Sequence, residues 1–231
     1  MFNELNKLRK KNLNNFCSII IISCFPLFFL FSSLLTNFFT IVLIFLFLSE
    51  IKLKPKSFIK NKIFLLLMLF WFFILISLFS SIYFENSISR SMGFLRFIFF
   101  SYAIAYYFKL DNFKYVKIIL LIWFFIFMIT SIDLFIEYIF GHNLLGNTSY
   151  MTGRLASFLG DELKIGHFYL GFYFLILSFL IQFFKNRFLI FFIIICFSII
   201  AILIGERANF IKIFLGLLIY SIFYEKIITK Y

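Results

Sequence analysis

The chain has 231 residues, of which 64% are hydrophobic, 24% aromatic and only 14% charged. Surface outgrows core in small domains, and a globular chain is usually about half apolar and a quarter charged, so this composition excludes a soluble domain and requires lipid as solvent. The net charge of +12 suggests nucleic acid at first sight, but the placement of the basic residues along the chain points to membrane topology and no nucleic-acid partner.

Residues 1–16 are basic and precede an apolar run that continues past Pro26 without a small-x-small cleavage pattern, which reads as a cytoplasmic segment before an uncleaved first helix. A spanning helix needs about 20 apolar residues. Spans are predicted at 17–34, 36–50, 63–84, 92–108, 115–140, 166–184, 188–204 and 208–224, with a cytoplasmic tail at 225–231. The first two form a tight hairpin around Thr36 and Asn37. No alternation of β-barrel period is visible, so the expected architecture is all-α, a polytopic membrane bundle of about eight transmembrane helices over 17–224 with one long loop at 141–165. Cys17, Cys24 and Cys196 all fall in apolar runs without metal-ligand spacing and read as small apolar side chains.

Orientation follows from the lysines. Lys7, Arg9, Lys10 and Lys11 precede the first span; Lys52, Lys54, Lys56, Lys60 and Lys62 separate the second from the third; Lys109, Lys114 and Lys117 separate the fourth from the fifth. Lys185 and Arg187 separate the sixth from the seventh, and Lys226 and Lys230 follow the eighth. With eight spans these sixteen of the 22 basic residues share one side, which is then cytoplasmic and holds both termini.

The other side retains Arg90, Arg96, Arg154, Lys164, Arg207 and Lys212. Four of these six are Arg, in a chain with 6 Arg and 16 Lys. Arg presents a planar fork of donors suited to phosphate or carboxylate, so an outward-facing anion site built from Arg90, Arg96, Arg154 and Arg207 is expected, against the alternative of interfacial snorkelling and structural ion pairs. Arg96 lies inside the fourth span, where an unpartnered charge costs about 2.5–3.5 kcal/mol. Asp133 and Glu137, four apart on one face of the fifth helix, are its candidate partners, as an ion pair between helices or as a supporting carboxylate pair. Arg207 follows Gly205 and Glu206 at the turn before the eighth helix, whose free amides favour an anion; Glu206 either orients Arg207 or is solvated. The loop 141–165 holds Gly141, Gly146, Gly153 and Gly160, four of the nine glycines, and is flanked by His142 and His167. Either histidine could be a general base, though plain interfacial residues are the commoner case. No His/Cys/Asp cluster has ligand spacing, so no metal is expected.

Two stretches carry a resemblance. Thr152-Gly153-Arg154-Leu155-Ala156-Ser157-Phe158-Leu159-Gly160-Asp161, followed by a helix, resembles the Arg-containing outer-loop stretch of bacterial O-antigen ligases and O-antigen polymerases. Ile204-Gly205-Glu206-Arg207-Ala208-Asn209-Phe210 resembles the Gly-(Ser/Glu)-Arg-(Gly/Ala) turn of the same family. The resemblance implies a multi-pass glycosyltransferase of the bacterial inner membrane, in lipopolysaccharide biosynthesis. Such a protein takes a glycan from an undecaprenyl-diphosphate carrier at its periplasmic face and passes it to lipid A core or to another glycan. It also implies that Arg154 and Arg207 grip the diphosphate and that no cofactor is needed, because the donor is already activated. Family members continue into a large periplasmic loop that supplies a histidine base, so this chain looks like the N-terminal part of such a protein, and no catalytic residue is transferred. The other readings are a transporter or flippase of an anionic lipid or solute, and a non-catalytic membrane scaffold.

Overall fold

The computed structural model describes residues 13–51, 62–82, 84–109, 113, 115–160 and 164–228. Most of the lysines that orient the chain (Lys7, Lys10, Lys11, Lys52, Lys54, Lys56, Lys60, Lys114 and Lys230), together with Arg9 and Asp161, lie outside the described residues. Among those described, the chain is all-helical: α1 Leu13–Phe31, α2 Ser33–Ile51, α3 Lys62–Ser77, α4 Phe84–Phe108, α5 Val116–Phe140, α6 Ile165–Phe183, α7 Arg187–Leu203 and α8 Arg207–Ile228, with short 3-10 turns at Leu78–Ser80 and Ser157–Leu159. Each helix falls on one predicted span. The largest difference is at α4, which begins at Phe84 and not near 92, because the helix runs through a polar stretch that hydropathy alone reads as loop.

Among the described residues, six stretches are long and apolar enough to cross a membrane: Leu13–Phe31, Ser33–Glu50, Lys62–Ser80, Phe84–Phe108, Val116–Phe140 and Ile165–Phe183. The chain is therefore a multi-pass helical membrane protein by length and composition. Of the remaining two helices, α7 is apolar but has 17 residues, and α8 is not among the six. Several hydroxyls inside the spans are satisfied by carbonyls of their own helix. Ser23 and Thr40 donate to the carbonyls of Ile19 and Thr36 at 2.7 Å, and Thr130 and Ser198 to those of Ile126 and Ile194 at 2.9 and 2.8 Å. Asn186 caps α7 by accepting from the amides of Phe188 and Leu189.

The chain divides into two compact units. The first takes residues up to Phe25 and Ser33–Ile118; the second takes Pro26–Ser32 and Ile119 onward. The first division falls at Pro26 inside α1, where the missing N–H weakens the helix ladder. In the first unit α4 packs on α2 and α3. Phe47 meets Tyr106 at 5.5 Å and Phe64 meets Tyr102 edge-on at 5.4 Å, while the Trp71 indole N–H donates to the Ser91 carbonyl at 3.0 Å. Arg96 is exposed on α4, with its guanidinium carbon 4.8 Å from the centre of the Phe97 ring, a cation–π contact that shelters part of the charge.

In the second unit α6, α7 and α8 pack mutually, and α5 joins them through aromatics. Phe127 lies 4.4 Å from Tyr169 and 4.9 Å from Phe197, and Trp123 meets Phe172 edge-on at 5.2 Å. The Tyr169 hydroxyl bonds Ser131, and that of Tyr173 bonds Ser198 at 2.8 Å. Gly216 of α8 receives the Phe174 ring where a Cβ would stand. Gly216→Val is accordingly expected to lower stability by about 1–3 kcal/mol through overpacking, read as a lower unfolding midpoint of the detergent-solubilised chain. An unchanged midpoint would mean that the ring turns away freely.

Candidate functional site

One end of the second unit is polar, where α5 runs into the 141–160 loop and α7 turns into α8. α5 closes at Gly141, whose φ of 76° suits glycine and lets its amide bond the Glu137 carbonyl at 2.9 Å. Asn143, 2% exposed, then folds the loop on itself. Its Oδ1 accepts from the amides of Leu145 and Asn147 at 3.0 and 2.8 Å, an Asx turn, and its Nδ2 donates to the Ser157 carbonyl at 2.6 Å.

Asp133 and Glu137 are both buried, at 0% and 3% exposure, and they hold this loop. Asp133 accepts from the Leu144 amide at 2.7 Å and from the Ser157 hydroxyl at 2.5 Å. Glu137 accepts from the amides of Ala156 at 3.0 Å and Ser157 at 2.7 Å. Buried carboxylates need either a cation or a set of donors; two backbone strands of the loop supply the donors. Ser157 is the point of convergence: its amide, hydroxyl and carbonyl are each engaged by a different buried side chain. Its φ is 51°, a left-handed conformation that costs a residue with a Cβ of order 1–3 kcal/mol and persists only where surroundings over-determine it.

Beyond this clasp the loop meets the α7–α8 turn. Gly153 and Gly205 both have φ of 79°. A Cβ on Gly205 would overlap the Gly153 carbonyl oxygen and lie 3.4 Å from the Arg154 Cα, so the two turns touch backbone to backbone. The Leu155 amide donates to the Ile204 carbonyl at 3.3 Å across the same junction. The structure thus brings together the turns that carry Arg154 and Arg207, residues 53 positions apart in the chain. Arg154 is half-buried and Arg207 exposed, and among the described residues no carboxylate lies within ion-pair distance of either guanidinium.

Glu206 does not serve Arg207. Its carbonyl opens α8 by accepting the amides of Asn209 and Phe210. Its carboxylate accepts from the Asn209 side-chain amide, sits over Gly166 where a Cβ would clash, and lies 3.7 Å from Nδ1 of His167. Glu206 therefore ties the start of α8 to the start of α6. The His167 side chain is 68% exposed, beside this junction. His142 is exposed, with its Nδ1 3.3 Å from the Asn143 carbonyl and its ring beside Phe140. Arg90 and Arg96 belong to the first unit. Among the described residues no group of three His, Cys, Asp or Glu could hold a metal.

Sequence reading missed Asn143 and Ser157. The turn signal Gly141-His142-Asn143 with Gly146-Asn147 could have flagged the first; nothing local flags Ser157, whose role is set by residues 14 to 24 positions away. No family model matches the chain, and neither a curated protein nor a solved structure matches it.

Proposed function

We propose that the second unit binds an undecaprenyl-diphosphate-linked glycan, with Arg154 and Arg207 as the diphosphate grip, in an O-antigen ligase- or polymerase-like glycosyl transfer at the periplasmic face of a bacterial inner membrane. The observation that carries this reading is the backbone contact between the two arginine-bearing turns through Gly205, Gly153 and Arg154. Two guanidiniums on abutting turns, without a competing carboxylate among the described residues, suit an anion with several oxygens. Charge develops on the diphosphate as the glycosidic bond breaks, and fixed cations stabilise it without reorganising. The clasp of Asp133, Glu137 and Asn143 on Ser157 supplies that fixity from below. A lipid-linked donor also needs apolar room, and a cleft of about 370 Å3 between α5 and α7, lined by Met128, Ile132, Phe135, Phe192, Cys196 and Ile199 among others, supports such a ligand. The acceptor on this reading is lipid A core or a further glycan.

The test is binding of undecaprenyl diphosphate to the whole purified chain, with undecaprenol as the reference that lacks the anion. A charge-assisted hydrogen bond contributes about 1.5–3 kcal/mol, so Arg154→Gln and Arg207→Gln are each expected to weaken diphosphate binding roughly 10- to 100-fold and to leave undecaprenol binding alone. Unchanged diphosphate affinity in both variants would remove the assignment.

A further inference from the structure

The first unit holds a second polar site, which the sequence shows only as one arginine. At the junction of α3 and α4 two adjoining cavities open, of about 430 and 340 Å3, and both are lined by Ser81, Ser87 and Arg90. The larger adds Ser80 and Asn86; the smaller adds Ser77 and Ser91. Six polar side chains and one guanidinium therefore surround a concave space at the end of a helix pair whose remaining length is almost wholly apolar.

The lining is held in place by its own bonds. Ser77 donates to the Ile74 carbonyl at 2.7 Å as α3 ends. Ser81 and Ser87 share a hydrogen bond of 2.6 Å across the turn, and the Ser81 amide closes the 3-10 turn on Leu78 at 3.0 Å. Trp71 fixes the Ser91 backbone. Arg90 is exposed and lines both cavities, and among the described residues no carboxylate lies within ion-pair distance of it. Glu85, the acid in the first turn of α4, lines neither cavity.

We infer that this is a phosphate-binding site distinct from the Arg154–Arg207 turns. The chemistry is that of a tetrahedral anion: a guanidinium fork offers two donors, and Ser80, Asn86 and whichever hydroxyl of the Ser81–Ser87 pair accepts their shared bond offer neutral donors around it, more than a carboxylate's two oxygens can use. The space exceeds one phosphate, so the phosphate arrives on a larger body. Ile82 and Leu78 line the cavities, and Ile82 and its chain neighbours Phe79 and Phe84 are all exposed, apolar surface that suits the glyceride of a membrane lipid. A lipid headgroup and a free phosphate share the same recognition chemistry, and the experiment separates them.

Ser80 is exposed at the rim, so Ser80→Cys in the full chain gives a local readout, the rate of labelling by a water-soluble maleimide, corrected by the labelling of a chain with Ser80 intact. Dioctanoyl phosphatidic acid is expected to slow labelling at least fivefold, dioctanoylglycerol not at all, and Arg90→Gln to abolish the protection while Arg90→Lys keeps part of it. Equal protection by inorganic phosphate would also uphold the site and make a free phosphate its ligand. Absence of protection by either phosphate, protection by the diglyceride, or protection that persists in Arg90→Gln would each overturn the inference. Because the probe reports only this end of α3 and α4, its result is independent of whether Arg154 and Arg207 bind a diphosphate.

Discussion

Replacing Glu137 by Ala is expected to destabilise the second unit by about 3–5 kcal/mol, the largest effect of any single side-chain truncation at the loop. The change leaves two amides, of Ala156 and Ser157, without their acceptor in a buried place, and each orphaned donor costs about 1–3 kcal/mol. It also releases one of the three constraints that keep Ser157 at a φ of 51°, so the loop has a lower-energy conformation to fall into. Glu137→Gln retains one acceptor oxygen but points an amide at the same donors, and should fall between Ala and the native residue. Denaturation of the solubilised chain reads the stability, and limited proteolysis between residues 141 and 160 reads the loop. The exposed Glu85→Ala serves as the reference, with a change within about 0.5 kcal/mol. If Glu137→Ala melted with the native chain and resisted protease equally, the clasp would have no energetic weight.

Gly205→Ala is the second large effect, and it separates geometry from charge. Both arginines remain, yet the added methyl enters the Gly153 carbonyl oxygen and is strained at a φ of 79°. The two turns must move apart, and diphosphate binding is expected to fall by at least tenfold, about 1.4 kcal/mol. Gly153→Ala is the matched comparison: its φ is also 79°, but nothing lies within 4 Å of its Cβ, so it carries only the conformational penalty, about 1 kcal/mol. A loss of binding confined to Gly205→Ala would tie affinity to the contact between turns; equal losses in both variants would assign it to backbone strain alone.

The helices were legible in the sequence for a simple reason. Long apolar runs in lipid have one local solution, so each described helix falls on a predicted apolar run without any knowledge of its neighbours, and six of them are long and apolar enough to cross a membrane. Where polarity continues into a helix, as at Glu85 to Ser91 in α4, hydropathy places the boundary too late. The glycines at 153 and 205 and the arginines beside them were visible as turns, but their meeting was not, because a contact across 50 residues leaves no local mark. Separations of 11 to 24 residues likewise hid the work of Asp133 and Glu137. Two acids four apart on an apolar helix demand compensation, and the sequence offers Arg as the obvious source; the structure satisfies them with backbone amides and one hydroxyl, groups that every loop contains. Glu206 repeats the lesson, since Arg207 is its neighbour in sequence while Gly166, His167 and Asn209 are its neighbours in space.

The fastening of the loop at Asn143–Leu144 on one side and Ala156–Ser157 on the other has a consequence for how such a chain can vary. Residues 148–152 lie between two anchored points and, among the described residues, make no hydrogen bond to the helices. Lengthening a loop whose ends are already pinned is thermodynamically inexpensive, with each doubling costing about 0.6 kcal/mol. New segments can be inserted there, altering what the surface presents, while the spacing of Asp133, Glu137 and Asn143 against Ser157 tolerates no shift of register. The same scaffold can thus carry different cargo on its rim without being refolded.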